Sequence, residues 1–200
     1  MGIVMMVDPL APAISAPLMR TRLKMTVEAF DEWAALPENI NQNYEYIAGE
    51  VVEKMVSNAY PSLIAIRFAI VVGAFVEERE LGYMTGADGG YWVNGERYIP
   101  DVAFVSRERQ PKPCRETYNP NAPDLAIEVK SPTDNDDEIA IKIVNYLQAG
   151  TTVWLSNPDY KQTTIFIPGQ KPVTLAVTDT LDGGSVLPDF SVPLKRIYKE

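Results

Sequence analysis

Two short segments carry the residue types from which hydrolytic chemistry can be built. Ile99-Pro100-Asp101 is followed, after a loop, by Ala126-Ile127-Glu128-Val129-Lys130. Side chains alternate along a strand, so Glu128 and Lys130 share one face while Ile127 and Val129 share the other. Burying Ile127 and Val129 therefore presents a carboxylate and an ammonium together, and Asp101, at the start of a neighbouring strand, is placed to bring a second carboxylate. Magnesium takes one or two carboxylates, several waters and phosphate oxygens. Held at this place it would acidify a water and stabilise charge on a phosphate. A lysine within reach favours hydroxide and the developing phosphorane. These types and this spacing match what phosphodiester hydrolysis requires, with Asp101, Glu128 and Lys130 as candidate catalytic residues and Asp101 and Glu128 as candidate metal ligands. The ordinary alternative is a Glu/Lys pair on a half-exposed strand.

Elimination narrows the chemistry further. The chain has no histidine, which excludes serine–histidine triads and histidine-ligated zinc or iron. Its one cysteine, Cys114, excludes an internal disulfide framework and points to a reducing, cytoplasmic setting. With no base available beside it, a thiol nucleophile at Cys114 is not expected. Eighteen Lys and Arg against twenty-seven Asp and Glu give a net charge of −9, a balance that counts against tight non-specific binding to nucleic acid. It leaves room for an enzyme that meets a backbone through metal ions and a local basic strip. No apolar run is read as approaching the ~20 residues of a membrane span, so no membrane partner is expected.

The elements that must position these residues follow from periodicity and turn chemistry. Residues 1–23, with Pro9, Pro12 and Pro17, are expected to form a loose arm without the basic start of a signal peptide. Residues 24–200 are expected to form one domain. Thr26 caps a short helix to about Leu36. Tyr44–Ile47 and Glu50–Met55 pair through Ala48-Gly49, which places Ile47 opposite Glu50 and Glu45 on the same face as Glu50. Pro61 suits the first turn of a long helix to about Glu80, apolar nearly all round and so expected to be buried. Short strands follow around Tyr83–Thr85 and Tyr91–Val93, with Asn94-Gly95 as the strongest turn signal. Val102–Val105 and Leu125–Val129 read as interior strands separated by a proline-rich loop from Arg107 to Pro123. A helix begins at Asp134 or Asp136 and closes at Gly150, and its acidic start suits the macrodipole. Thr152–Leu155, Thr163–Ile167 and Val173–Val177 are late strands, and the last twenty residues read as a proline-interrupted tail. The order predicts a mixed α/β domain, with helices flanking one central mixed sheet.

Pro100-Asp101 with Glu128-Val129-Lys130 resembles the motif of the PD-(D/E)xK nuclease superfamily. The wider chain is similar to the restriction-endonuclease family called Uma-two, through Tyr44-Glu45-Tyr46-Ile47-Ala48-Gly49-Glu50, Pro100-Asp101-Val102-Ala103, and Pro123-Asp124-Leu125 on to Lys130-Ser131-Pro132. Lys142 with Tyr146, and Gly150 to Trp154, continue the likeness, which spans roughly residues 24 to 195. The resemblance implies a restriction-endonuclease-like core, a DNA substrate, and magnesium, with manganese as a substitute. It also implies the Val129 backbone carbonyl as a third ligand and Lys130 as the catalytic lysine. The family pattern carries a histidine near Tyr60–Ser62 that this chain lacks. That departure keeps a second reading open, a nuclease fold that no longer cuts and serves as a binding or interaction module. Glu50 is read either as a further metal carboxylate or as the exposed end of a hairpin, with Glu45 behind it. Lys142 is read as a phosphate contact, as a residue that helps position the site or, more simply, as a solvated helix lysine; Tyr146 is expected to face the core. Asp124 is expected to cap a turn at the entry to its strand. Cutting both strands of a duplex with one site per chain would call for a two-fold homodimer.

Overall fold

A computed structural model describes residues 22–55 and 58–199. Its elements in chain order are α1 (Val27–Ala34), β1 (Tyr44–Ile47), β2 (Glu50–Glu53), α2 (Ala59–Glu78), β3 (Gly82–Thr85), β4 (Gly90–Val93), β5 (Glu96–Tyr98), β6 (Val102–Ser106), β7 (Tyr118–Asn119) and β8 (Leu125–Val129). They continue with α3 (Asp136–Gln148), β9 (Thr152–Asn157), β10 (Gln162–Phe166), β11 (Val173–Ala176), β12 (Thr180–Asp182), β13 (Ser191–Pro193) and α4 (Leu194–Ile197). Residues 1–21, and with them most of the expected N-terminal arm, lie outside the described residues.

Local chemistry sets the element ends. Thr26 Oγ1 accepts from Ala29 N–H and Asn58 Oδ1 from Tyr60 N–H, so each caps the helix that follows. Asn135 does the same for α3 by accepting from Asp137 N–H, and Gly150, at φ +80°, ends that helix. Both hairpins turn through two residues of positive φ, Ala48-Gly49 and Asn94-Gly95, which matches the twist of the paired strands. Ile47 stands across from Glu50 and Glu45 across from Val52, so the expected register of the first hairpin holds.

The mixed α/β class holds, but the expected single sheet is two. Five strands run in the order β2-β1-β5-β4-β7 and six in the order β11-β10-β9-β8-β6-β3; β12 and β13 form a separate pair. The two hairpins join each other, with Tyr46 paired to Arg97, instead of adding to the larger sheet. Pro100 explains the break. It cannot donate to a ladder, and it falls between β5 in one sheet and β6 in the other, where the chain passes across. β7 forms within the stretch expected to be a loop and pairs parallel to β4.

Helices cover both faces of the six-stranded sheet. Leu125, Ile127 and Val129 of β8 pack with Ile64, Phe68, Val72 and Val76 of α2 in one core. Ala126, on the other face of β8, packs with Ile143 and Tyr146 of α3 in a second. Glu128 therefore faces α3, as strand alternation requires.

Two expectations are corrected. The last twenty residues are not a tail: Leu181, Leu187, Phe190, Val192, Leu194, Ile197 and Tyr198 are buried in the α2-side core. Pro188 and Pro193 fall at a turn and at a strand's last residue, so neither interrupts an element. In addition, α2 is only buried along one stripe, with Leu63 40%, Ile66 53% and Ile70 59% exposed on the opposite side. This helix, 20 residues long and with a mean hydropathy of 1.9 over its most apolar window, reaches the length and apolarity of a membrane span, contrary to the expectation that no segment does.

Candidate active site

The crossing at Pro100 delivers Asp101 to the junction of the two sheets. Val102 pairs with Ile127 in the β6–β8 ladder, and continuing that register by one sets Asp101 across from Glu128. Residues directly opposite in an antiparallel pair share a face. Asp101 Oδ2 also accepts from Val129 N–H at 2.8 Å, which ties the carboxylate to β8. Glu45, on β1, accepts from Ile99 N–H at 2.7 Å and so satisfies a backbone donor freed where the chain leaves β5.

These groups line one cleft of about 470 Å³, together with Lys54, Val129, Lys130 and Lys142. The two carboxylates of the motif and its lysine thus open on the same space. Lys130 reaches the rim, where its ammonium is 2.5 Å from Asp136 Oδ1 at the first residue of α3. Lys142 differs from the solvated lysine expected: it is buried, and its ammonium lies 2.9 Å from both Glu45 Oε1 and Glu128 Oε1. Position 142 is on the face of α3 that turns toward β8, one turn before Tyr146. Tyr146 faces the core as expected, and its hydroxyl donates to Glu128 Oε1 at 3.0 Å. Lys54, which sequence reasoning missed, donates to Asp101 Oδ1 at 2.9 Å and to the Ile99 carbonyl at 2.6 Å. Its one sequence signal is its position just past β2, on a hairpin whose partner strand carries Glu45.

Glu50 does not join this group. It sits at the hairpin end, half-buried, with Lys24 at 3.1 Å and Arg22 at 3.7 Å, and does not line the cleft. Arg22 also pairs with Glu138 of α3. Asp124 accepts from Ser106 N–H and pairs with Arg109, a structural role close to the turn-capping expected.

Burial shapes the charges inside the cleft. It pushes the Glu128 carboxyl above its ordinary 4.5; Lys142 and Lys54 pull against that rise, while Asp101 and Glu45 reinforce it. Burial disfavours the Lys142 ammonium, but the Glu128 and Glu45 carboxylates outweigh it and hold the proton more tightly than on a free lysine. Burial, followed by the same two carboxylates, raises the Tyr146 hydroxyl well above 10, so it remains a donor.

Among the described residues, no three His, Cys, Asp or Glu side chains gather closely enough to hold an ion between them. Asp101 and Glu128 nevertheless provide two hard oxygen donors from facing positions. That is the protein share magnesium ordinarily takes, with water completing its shell. The donor set fits magnesium or manganese, and the neutral or thiolate ligands preferred by zinc are missing from it.

Two mixed sheets thus meet at a carboxylate pair, and helices cover both faces of the six-stranded one. A family model, Uma2, described as "Putative restriction endonuclease", matches residues 27–195, and the chain belongs to that family. Its fold is also that of a solved structure from Anabaena variabilis, titled "a putative nuclease belonging to DUF820". The two chains are 21% identical, with a TM-score of 0.76 over 87% of this chain and 97% of the other. No curated protein matches.

Proposed function

We propose that this protein is a magnesium-dependent endonuclease that hydrolyses DNA phosphodiester bonds. The observation that carries the reading is the meeting of Asp101, Glu128 and Lys130 in one cleft of a Uma2-family fold. Asp101 and Glu128 would hold the ion, with the Val129 carbonyl as a further donor. Once bound, the ion would supply an acidified water and positive charge beside the scissile phosphate. The protein's own groups do the rest. Lys130, at the rim, places an ammonium where charge builds on the phosphate. Lys142 bridges Glu128 to Glu45 and, with the Tyr146 hydroxyl, fixes the Glu128 carboxylate in place. It acts on Glu128 and is not itself expected to touch phosphate.

Supercoiled plasmid tests the reading. The wild-type chain should convert it to nicked and linear forms with magnesium or manganese and leave it intact with a chelator. Asp101→Asn and Lys130→Ala should each reduce the rate by at least about a hundredfold while remaining folded. Unchanged cutting by either variant would remove that residue from the mechanism.

One observation favours a second reading, a nuclease fold that binds without cutting. Lys142 and Lys54 already neutralise Glu128 and Asp101, much as a cation would. On that reading the wild type neither cuts plasmid nor takes up divalent metal.

A further inference from the structure

Helix α2 has two opposite apolar faces, and among the described residues only one is covered. Pro61, Ile64, Phe68, Val72 and Val76 are buried against the sheet. The other face carries Ala59, Leu63, Ile66, Ile70, Gly73 and finally Glu77. Their spacing alternates between four and three residues, the repeat of helices that pair along a seam. Leu63, Ile66 and Ile70 are 40–59% exposed there. The face carries no charge before Glu77, since the nearest guanidinium, Arg67, is turned to the carbonyls of Ile197 and Lys199.

Gly73 is the second clue. A mid-helix glycine costs about 0.5–1 kcal/mol relative to alanine. A Cβ at position 73 would meet no described residue nearer than Met84 Cγ at 4.0 Å, so packing among the described residues does not require the gap.

The seam is its own complement when reversed about Phe68. Leu63 then falls opposite Gly73, a large side chain against a notch, and Ile66 falls opposite Ile70. Glu77 falls beside the first turn of the opposing helix, where free N–H groups and the macrodipole favour an anion. We infer that α2 packs antiparallel against α2 of a second copy of this chain across a two-fold axis, the geometry of an isologous dimer. Pro61, Ser62 and Ala65 of the same helix line the cleft, so the pairing brings two clefts onto one assembly. The pairing is expected to be transient, with a dissociation constant on the order of tens of micromolar. The inference does not depend on the nuclease reading.

Sedimentation velocity of the full chain over a concentration series tests it. The wild-type mass should rise from one copy, 22.3 kDa, towards two as concentration passes the range of tens of micromolar. Ile70→Lys should stay monomeric throughout. Gly73→Leu should weaken association at least about tenfold, and adding Leu63→Ala to it should recover most of that loss, because the two positions oppose each other. Thermal scans check that these exposed substitutions leave the fold intact. A wild type that stays monomeric overturns the inference, whether or not it floats with anionic phospholipid vesicles; flotation would assign the face to a membrane surface. Dimers unaffected by Ile70→Lys and Gly73→Leu overturn it as well, by placing the interface elsewhere.

Discussion

Replacing Lys142 with methionine is expected to destabilise the fold by about 3–5 kcal/mol, the cost of leaving a buried charge without its partner. Its ammonium is the shared counter-ion of Glu45, which is buried, and Glu128, whose side chain is 13% exposed, and it lies 2.9 Å from each. Methionine keeps most of the volume and removes only the charge, so two carboxylates would face each other across an apolar gap. The deficit should depend on pH. Lys142 lowers the Glu128 pKa, so removing it lifts that already raised pKa further. Above 4.5 the folded variant then holds a proton that the unfolded chain has released, and its stability rises as pH falls towards 4.5. The gap between variant and wild type should therefore be smaller at pH 5 than at pH 8. The wild type has the opposite window at the alkaline end. The Lys142 pKa is raised in the folded state, so its contribution is complete below 10.5 and is lost as pH climbs through the higher folded value. Urea denaturation at pH 5 and pH 8 measures the first effect. A loss under about 1 kcal/mol at pH 8 would show that Lys142 is not the counter-ion described here.

Phe190→Ala is expected to cost about 3–5 kcal/mol, as for other large aromatic side chains cut back in a core. Phe190 stacks on Trp154 with ring centroids 5.8 Å apart and meets Phe75 edge-on at 5.2 Å, so its loss opens a cavity between α2 and the sheet. Shortening the chain before Leu181 should be worse. It removes seven buried apolar residues and the Tyr198 hydroxyl, which bonds with Ser156, Thr163 and the Gln162 carbonyl. Circular dichroism of the shortened chain should show no cooperative thermal transition. A folded product would return this segment to the status of a tail.

That segment illustrates what the sequence could not convey. Pro188 and Pro193 dominate a local reading because proline breaks ladders, whereas the burial of Leu187 and Phe190 depends on α2, more than a hundred positions away. The β8 strand was easier, since alternation alone puts Ile127 and Val129 on one side and Glu128 on the other. The hairpin register was legible for a similar reason: a two-residue turn leaves a single pairing. The sequence marks Lys142 as a site candidate but not as buried, because one polar residue on an amphipathic helix reads as solvated until its counter-ions are located. Those counter-ions come from β1 and β8, 97 residues upstream and 14 upstream in the chain. Lys54 has only its place beside the Glu45-bearing hairpin as a signal, because its partner Asp101 arrives only when Pro100 carries the chain from one sheet to the other.

Asp101 and Glu128 are expected to share one divalent ion, and manganese binding followed by electron paramagnetic resonance tests that directly. The wild-type chain should deplete the free-ion signal with a single site at millimolar concentrations or below. Asp101→Asn and Glu128→Gln should each weaken that site at least about tenfold, while Lys130→Ala leaves it nearly unchanged. A wild type that leaves manganese free at several millimolar, or carboxylate variants that bind it as well as the wild type, would contradict the account.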